Sequence, residues 1–92
     1  MLIIGHRGAR REAPENTLAG FRQLRTLGVH HVELDVRLSK DQQLVVIHDD
    51  TVNRTTAHKG NVHELTAAEL GAMNAAAKFA GGWPDATPVP LL

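Results

Sequence analysis

The chain has 92 residues, enough for one small domain with a modest core. Apolar residues make up 42% and charged residues 22%, an ordinary soluble balance; ten basic residues offset ten acidic ones, which argues against bulk electrostatic binding to nucleic acid or an acidic membrane. There are no cysteines, so disulfides and thiolate chemistry are excluded, and 3% aromatic residues is thin for a base-stacking surface. No apolar run reaches membrane-spanning length, so no membrane insertion is expected. Met1–Ile4 is too short for a signal-peptide apolar region before Gly5 and His6, and a cytoplasmic location is expected.

Leu2–Ile3–Ile4 reads as a short buried strand stopped by Gly5. His6–Arg7–Gly8 follows at its carboxyl end, where the flanking glycines permit a sharp turn or a close ligand approach. Histidine moves protons near neutral pH, and arginine holds a phosphate with a planar fork of donors. The alternative is a surface turn with a solvated Arg7 and an incidental His6. Pro14 stands before the first predicted helix, which Asn16 or Thr17 would cap. Leu18, Phe21, Leu24 and Leu27 spread an apolar face along that helix, read as core, and Gly28 ends it.

The stretch His31–Asp49 carries the densest pattern. Val32, Leu34, Val36 and Leu38 alternate with Glu33, Asp35, Arg37 and Ser39, so one strand is expected with Glu33 and Asp35 on the same face. Strand, helix and strand in this order make a parallel βαβ unit. Lys40–Gln43 is short and polar, as a hairpin turn would be, and the run Leu44–Ile47 after it ends in His48–Asp49. Antiparallel pairing about that turn returns His48 to the level of Asp35. Two carboxylates and an imidazole would then share a small volume. Carboxylates at i and i+2 repel unless a cation lies between them, and hard cations take such oxygen ligands. The competing reading is a half-buried strand with a solvated charged face.

His30 and His31 face opposite ways on a strand and cannot both line one site. Residues 49–56 suggest an irregular polar loop, and His58 and His63 are read as solvated. Thr66 with Glu69 is a capping box that starts a short helix, Ala67–Met73, extending at most to Ala77. Gly81, Gly82 and Pro84 break it, and Pro90–Leu91–Leu92 resembles the start of another element.

With these pieces placed, the chain resembles the N-terminal part of a glycerophosphodiester phosphodiesterase. The matching segments are Ile4–Gly8, Pro14–Thr17, Val32–Val36, the Lys40–Asp41 turn, Val45–Asp49 and Asn53–Thr56, in the family's order and spacing; Leu65–Leu70 and Pro88–Leu92 resemble its next stretch. The resemblance implies an α/β fold, a TIM-type (β/α) barrel of which residues 1–92 carry only the first strands and helices. A complete barrel needs about 250 residues. It implies hydrolysis of a small-molecule glycerophosphodiester to an alcohol and glycerol 3-phosphate. His6 and His48 would be the general acid and base, which predicts a bell-shaped pH–rate profile. Glu33 and Asp35 would ligate a divalent cation, Ca2+ or Mg2+, and Arg7 would hold the substrate phosphate. Glu15 and Asn16 match motif positions that support the site from behind. The family's third metal carboxylate lies on a later strand, and no residue here matches it. The alternative is therefore a non-catalytic metal- or phosphate-binding fragment of the same fold. Exposed sheet edges of a partial barrel also predict self-association.

Overall fold

The computed structural model describes residues 3–92. Strand β1 is Ile4–His6, so the predicted first strand is shifted toward His6; its Leu2 lies outside the described residues. Helix α1 spans Leu18–Thr26. Thr17, not Asn16, caps it: its Oγ1 accepts from Gly20 N at 3.1 Å and donates to Pro14 O at 2.7 Å. At the other end Gly28 takes φ +77°, Gly28 N donates to Arg25 O and Val29 N to Leu24 O, the paired bonds of a glycine-terminated helix.

The expected single strand through Glu33 and Asp35 is two strands. Strand β2, His31–Glu33, pairs parallel to β1; strand β3, Val36–Leu38, pairs antiparallel to β4, Leu44–Val46. The chain leaves one two-stranded sheet and enters another at Leu34–Asp35, because β2 follows β1 while β3 follows its hairpin partner. Within the hairpin Gln42 takes the left-handed backbone, φ +61°, and Ser39 closes the turn by bonding Gln43 through both main chain and side chain. Ile47 N donates to Asp35 O at 3.0 Å, so Ile47 stands opposite Asp35 and His48 lies one residue beyond the expected level.

The capping box forms as read: Thr66 Oγ1 accepts from Glu69 N and Glu69 Oε1 from Thr66 N. Helix α2 is only Ala67–Gly71. Asn74 Oδ1 accepts from Ala76 N and Thr87 N, offering the backbone a turn in place of a further helical bond. The closing residues run beside β4: Val46 N donates to Pro90 O and Leu92 N to Leu44 O.

The core lies beneath β4 and the irregular excursion after it. Val45, Ile47, Val52, Val62, Leu70, Met73, Ala75 and Val89 form one buried cluster with Leu65 packed against it. The α1 stripe is a partial correction. Only Leu24 is buried, while Leu18 and Leu27 are 50% and 56% exposed. A two-stranded sheet is too narrow to cover a full helical face, so Leu24 alone meets it, in the space that Gly5 leaves by lacking a Cβ.

Candidate active site

The β1–β2 pair brings the first cluster together at its carboxyl end. His6 stands in register with Glu33, and His6 Nε2 lies 3.7 Å from Glu33 Oε1. Arg7 then turns the chain with φ +57°, its amide donating to Glu33 O at 2.7 Å, and Gly8 continues at φ +83°. Asn16 also takes the left-handed backbone, φ +51°, and its amide donates to Arg7 O at 2.8 Å. Such conformations cost about 1–3 kcal/mol in a non-glycine residue, less in asparagine, and cluster at functional sites. Their result is convergence on Asp35. Asn16 Nδ2 donates to Asp35 Oδ2 at 3.1 Å, and Arg7 Nε lies 3.6 Å from the same oxygen. Because Thr17 supplies the cap, the Asn16 side chain is free to reach Asp35.

His48 belongs to a second cluster. Arg37 Nε and Nη2 donate to His48 O at 3.0 and 2.8 Å, fixing the backbone there. His48 Nδ1 lies 2.7 Å from Asp49 Oδ1. Arg54 grips Asp49, with Nε to Oδ2 at 2.9 Å and Nη2 to Oδ1 at 3.2 Å. The same guanidinium grips Glu15, with Nη1 to Oε1 and Nη2 to Oε2 both at 2.7 Å. These bonds hold the Asp49 carboxyl at about 2, well below its ordinary value, through Arg54 first and His48 after it. Glu15 is lowered too, chiefly by the hydrogen bonds from Arg54. Glu15 Oε2 also accepts from Arg7 Nη1 at 3.5 Å, which joins the two clusters.

The predicted site residues thus form one chain of contacts: His6 with Glu33, Arg7 and Asn16 with Asp35, Glu15 with Arg7, and His48 reached through Asp49 and Arg54. His48 borders a crevice of ≈ 10 Å³ with Glu15 and Asn16; a cavity of ≈ 340 Å³ lies on the Gly5 and Leu24 side of β1, while the His6 imidazole is turned to Glu33. Sequence reasoning gives Asp49 and Arg54 no role, although they lie in the family-matching segments Val45–Asp49 and Asn53–Thr56; the contact of Arg54 with Asp49 joins those two segments.

Among the described residues no three His, Asp or Glu side chains gather in metal-ligand geometry. The donor chemistry nevertheless suits a hard cation. Glu33 and Asp35 supply carboxylate oxygens, and Asn16 Oδ1 beside Asp35 is buried with no hydrogen-bond partner. Arg7 Nε is likewise buried without a hydrogen bond, its nearest anionic oxygen being Asp35 Oδ2 at 3.6 Å, and has capacity for a closer one.

The glycerophosphoryl diester phosphodiesterase family model matches residues 6–92. The chain belongs to this family. It is 49% identical over 78 residues to a glycerophosphodiester phosphodiesterase of Caldanaerobacter subterraneus subsp. tengcongensis, covering 85% of this chain and 32% of that protein. The crystal structure of glycerophosphodiester phosphodiesterase from Agrobacterium tumefaciens superposes with a TM-score of 0.90 at 40% identity, covering 100% of this chain and 39% of that one. An Oleispira antarctica phosphodiesterase in complex with the product sn-glycerol-3-phosphate gives 0.91 at 37% identity, over 100% of this chain and 37% of that one. The chain therefore spans about a third of the length of these phosphodiesterase relatives. All seven predicted site residues fall within the matched span.

Proposed function

We propose that the protein is a metal-dependent glycerophosphodiester phosphodiesterase, with residues 1–92 forming the N-terminal part of its (β/α) barrel. The observation that carries this is the register of His6 and Glu33 at the carboxyl ends of parallel β1 and β2, with Arg7 and Asp35 immediately after them. Barrel enzymes place their chemistry at that end of the strands. The names of the relatives, and the product held by the Oleispira antarctica protein, support the substrate class.

Glu33 and Asp35 would hold the divalent cation, Ca2+ or Mg2+, which when bound screens the charge of the phosphodiester. Arg7 presents its Nε–H, buried and without a hydrogen bond, to a phosphate oxygen, a charge-assisted bond. His6 and His48 act as the acid–base pair. An incoming oxygen bonds to phosphorus as the bond to the leaving alcohol oxygen breaks; one imidazole takes the proton of the incoming group and the other gives one to the leaving alkoxide. Asn16 and Glu15 hold Asp35 and Arg7 in place. That no three His, Asp or Glu side chains gather among the described residues favours a second reading for the 92 residues in isolation: they bind cation or phosphate weakly without turnover.

The test is release of glycerol 3-phosphate from glycerophosphocholine by the complete gene product. His48→Ala is expected to lower kcat by about 10²–10⁴-fold. Activity untouched by that change would remove His48 from the reaction.

A further inference from the structure

We propose that Asp49 and Arg54 are positioning residues of the reaction site: through the Asp49 carboxylate, Arg54 holds the His48 ring with its proton on Nδ1 and leaves Nε2 to face the substrate. The activity part of this inference rests on the proposed phosphodiesterase function; the ring geometry does not.

An ionised carboxylate only accepts hydrogen bonds. At 2.7 Å from Asp49 Oδ1, His48 Nδ1 must therefore carry the hydrogen. In the neutral ring Nε2 is then the nitrogen with the lone pair. Asp49 could swing away from a half-exposed imidazole if nothing held it. Arg54 holds it at both oxygens, and Arg54 is held in turn by both oxygens of Glu15. Glu15 lies 39 residues away in sequence, on the loop that carries Arg7 to its place beside Asp35. One planar guanidinium thus clamps the loop bearing the phosphate-holding arginine to the strand end bearing the imidazole. It fixes the ring's orientation and the separation of the two groups together. A lysine ammonium is a point donor and cannot present parallel bonds to two carboxylates, so the role is specific to arginine.

The test reads the ring nitrogens of His48 by ¹⁵N NMR in the complete gene product, assigned through His48→Gln. In the wild type the neutral ring is expected as the Nδ1–H tautomer. In Asp49→Ala and in Arg54→Lys, each checked for a cooperative melt, it is expected to shift toward Nε2–H. Turnover by Asp49→Ala is expected to lose on the order of 10²-fold in kcat with KM retained, the signature of misplacement rather than lost binding. A wild-type ring found as Nε2–H overturns the proposal without any variant. So does a tautomer unchanged in both variants, or a loss confined to KM. The nitrogen shifts need no turnover. A wrong tautomer therefore counts against the positioning role alone, whereas a wild-type protein that hydrolyses no glycerophosphodiester counts against the functional reading.

Discussion

Asp49 sits between an imidazole and a guanidinium, and its ionisation is tied to folding. Its carboxyl is held at about 2 against an ordinary 3.8, so the folded state favours the charged form. The stabilisation is complete above about pH 4 and is lost as pH falls through 2. The side chain is 27% exposed, so screening trims the gain to about 1–2 kcal/mol. An acid titration of unfolding free energy should show this fall between pH 4 and 2, and Asp49→Asn should flatten it. An unchanged acid limb in the variant would mean that Arg54 does not grip Asp49 in solution. At this scale the sequence was legible in part: His6 and Arg7 stand at the end of the first strand as read, whereas Glu33 and Asp35, read as mid-strand, flank the break between β2 and β3. Asp49 and Arg54 escaped because they come from a loop, where no period shows which side chains converge. Arg54 meets Glu15 only through tertiary structure.

Between elements, the decisive joint is β1 against α1. Leu24 occupies the space beside Gly5, and a methyl group there would overlap its side chain. Gly5→Ala is expected to destabilise by about 1–3 kcal/mol through overpacking and to disturb the adjacent His6. Chemical denaturation of the variant measures it, and an unchanged midpoint would show that Leu24 does not pack there. The alternation from Val32 to Leu38 is continuous in sequence, yet the backbone switches sheets at Leu34–Asp35. A period of two reports which face a side chain takes, not which partner the strand follows, so the break left no trace in the residues. The capping box at Thr66 was legible because its partners are three residues apart. The end of α2 was not, because Asn74 bonds forward to Thr87.

At the scale of the whole molecule, the body is only 16 Å thick in its shortest dimension, and its two small sheets stay separate. Ile4, Val32, Val36, Leu38 and Leu44 on their strands are all more than 40% exposed. Open edges and uncovered apolar strands favour association with another chain. Light scattering of the 92 residues alone should therefore report a species larger than one chain, and a well-folded monomer would contradict that. No helix among the described residues is long and apolar enough to cross a membrane. The most direct measurement is the hydrolysis of glycerophosphocholine by the complete gene product after chelation and after readdition of Ca2+ or Mg2+. Glycerol 3-phosphate should appear only with the cation restored, and should fail to appear when Glu33 and Asp35 are replaced by Gln and Asn. Equal release with and without cation, or release that survives loss of both carboxylates, would contradict the site described for this chain.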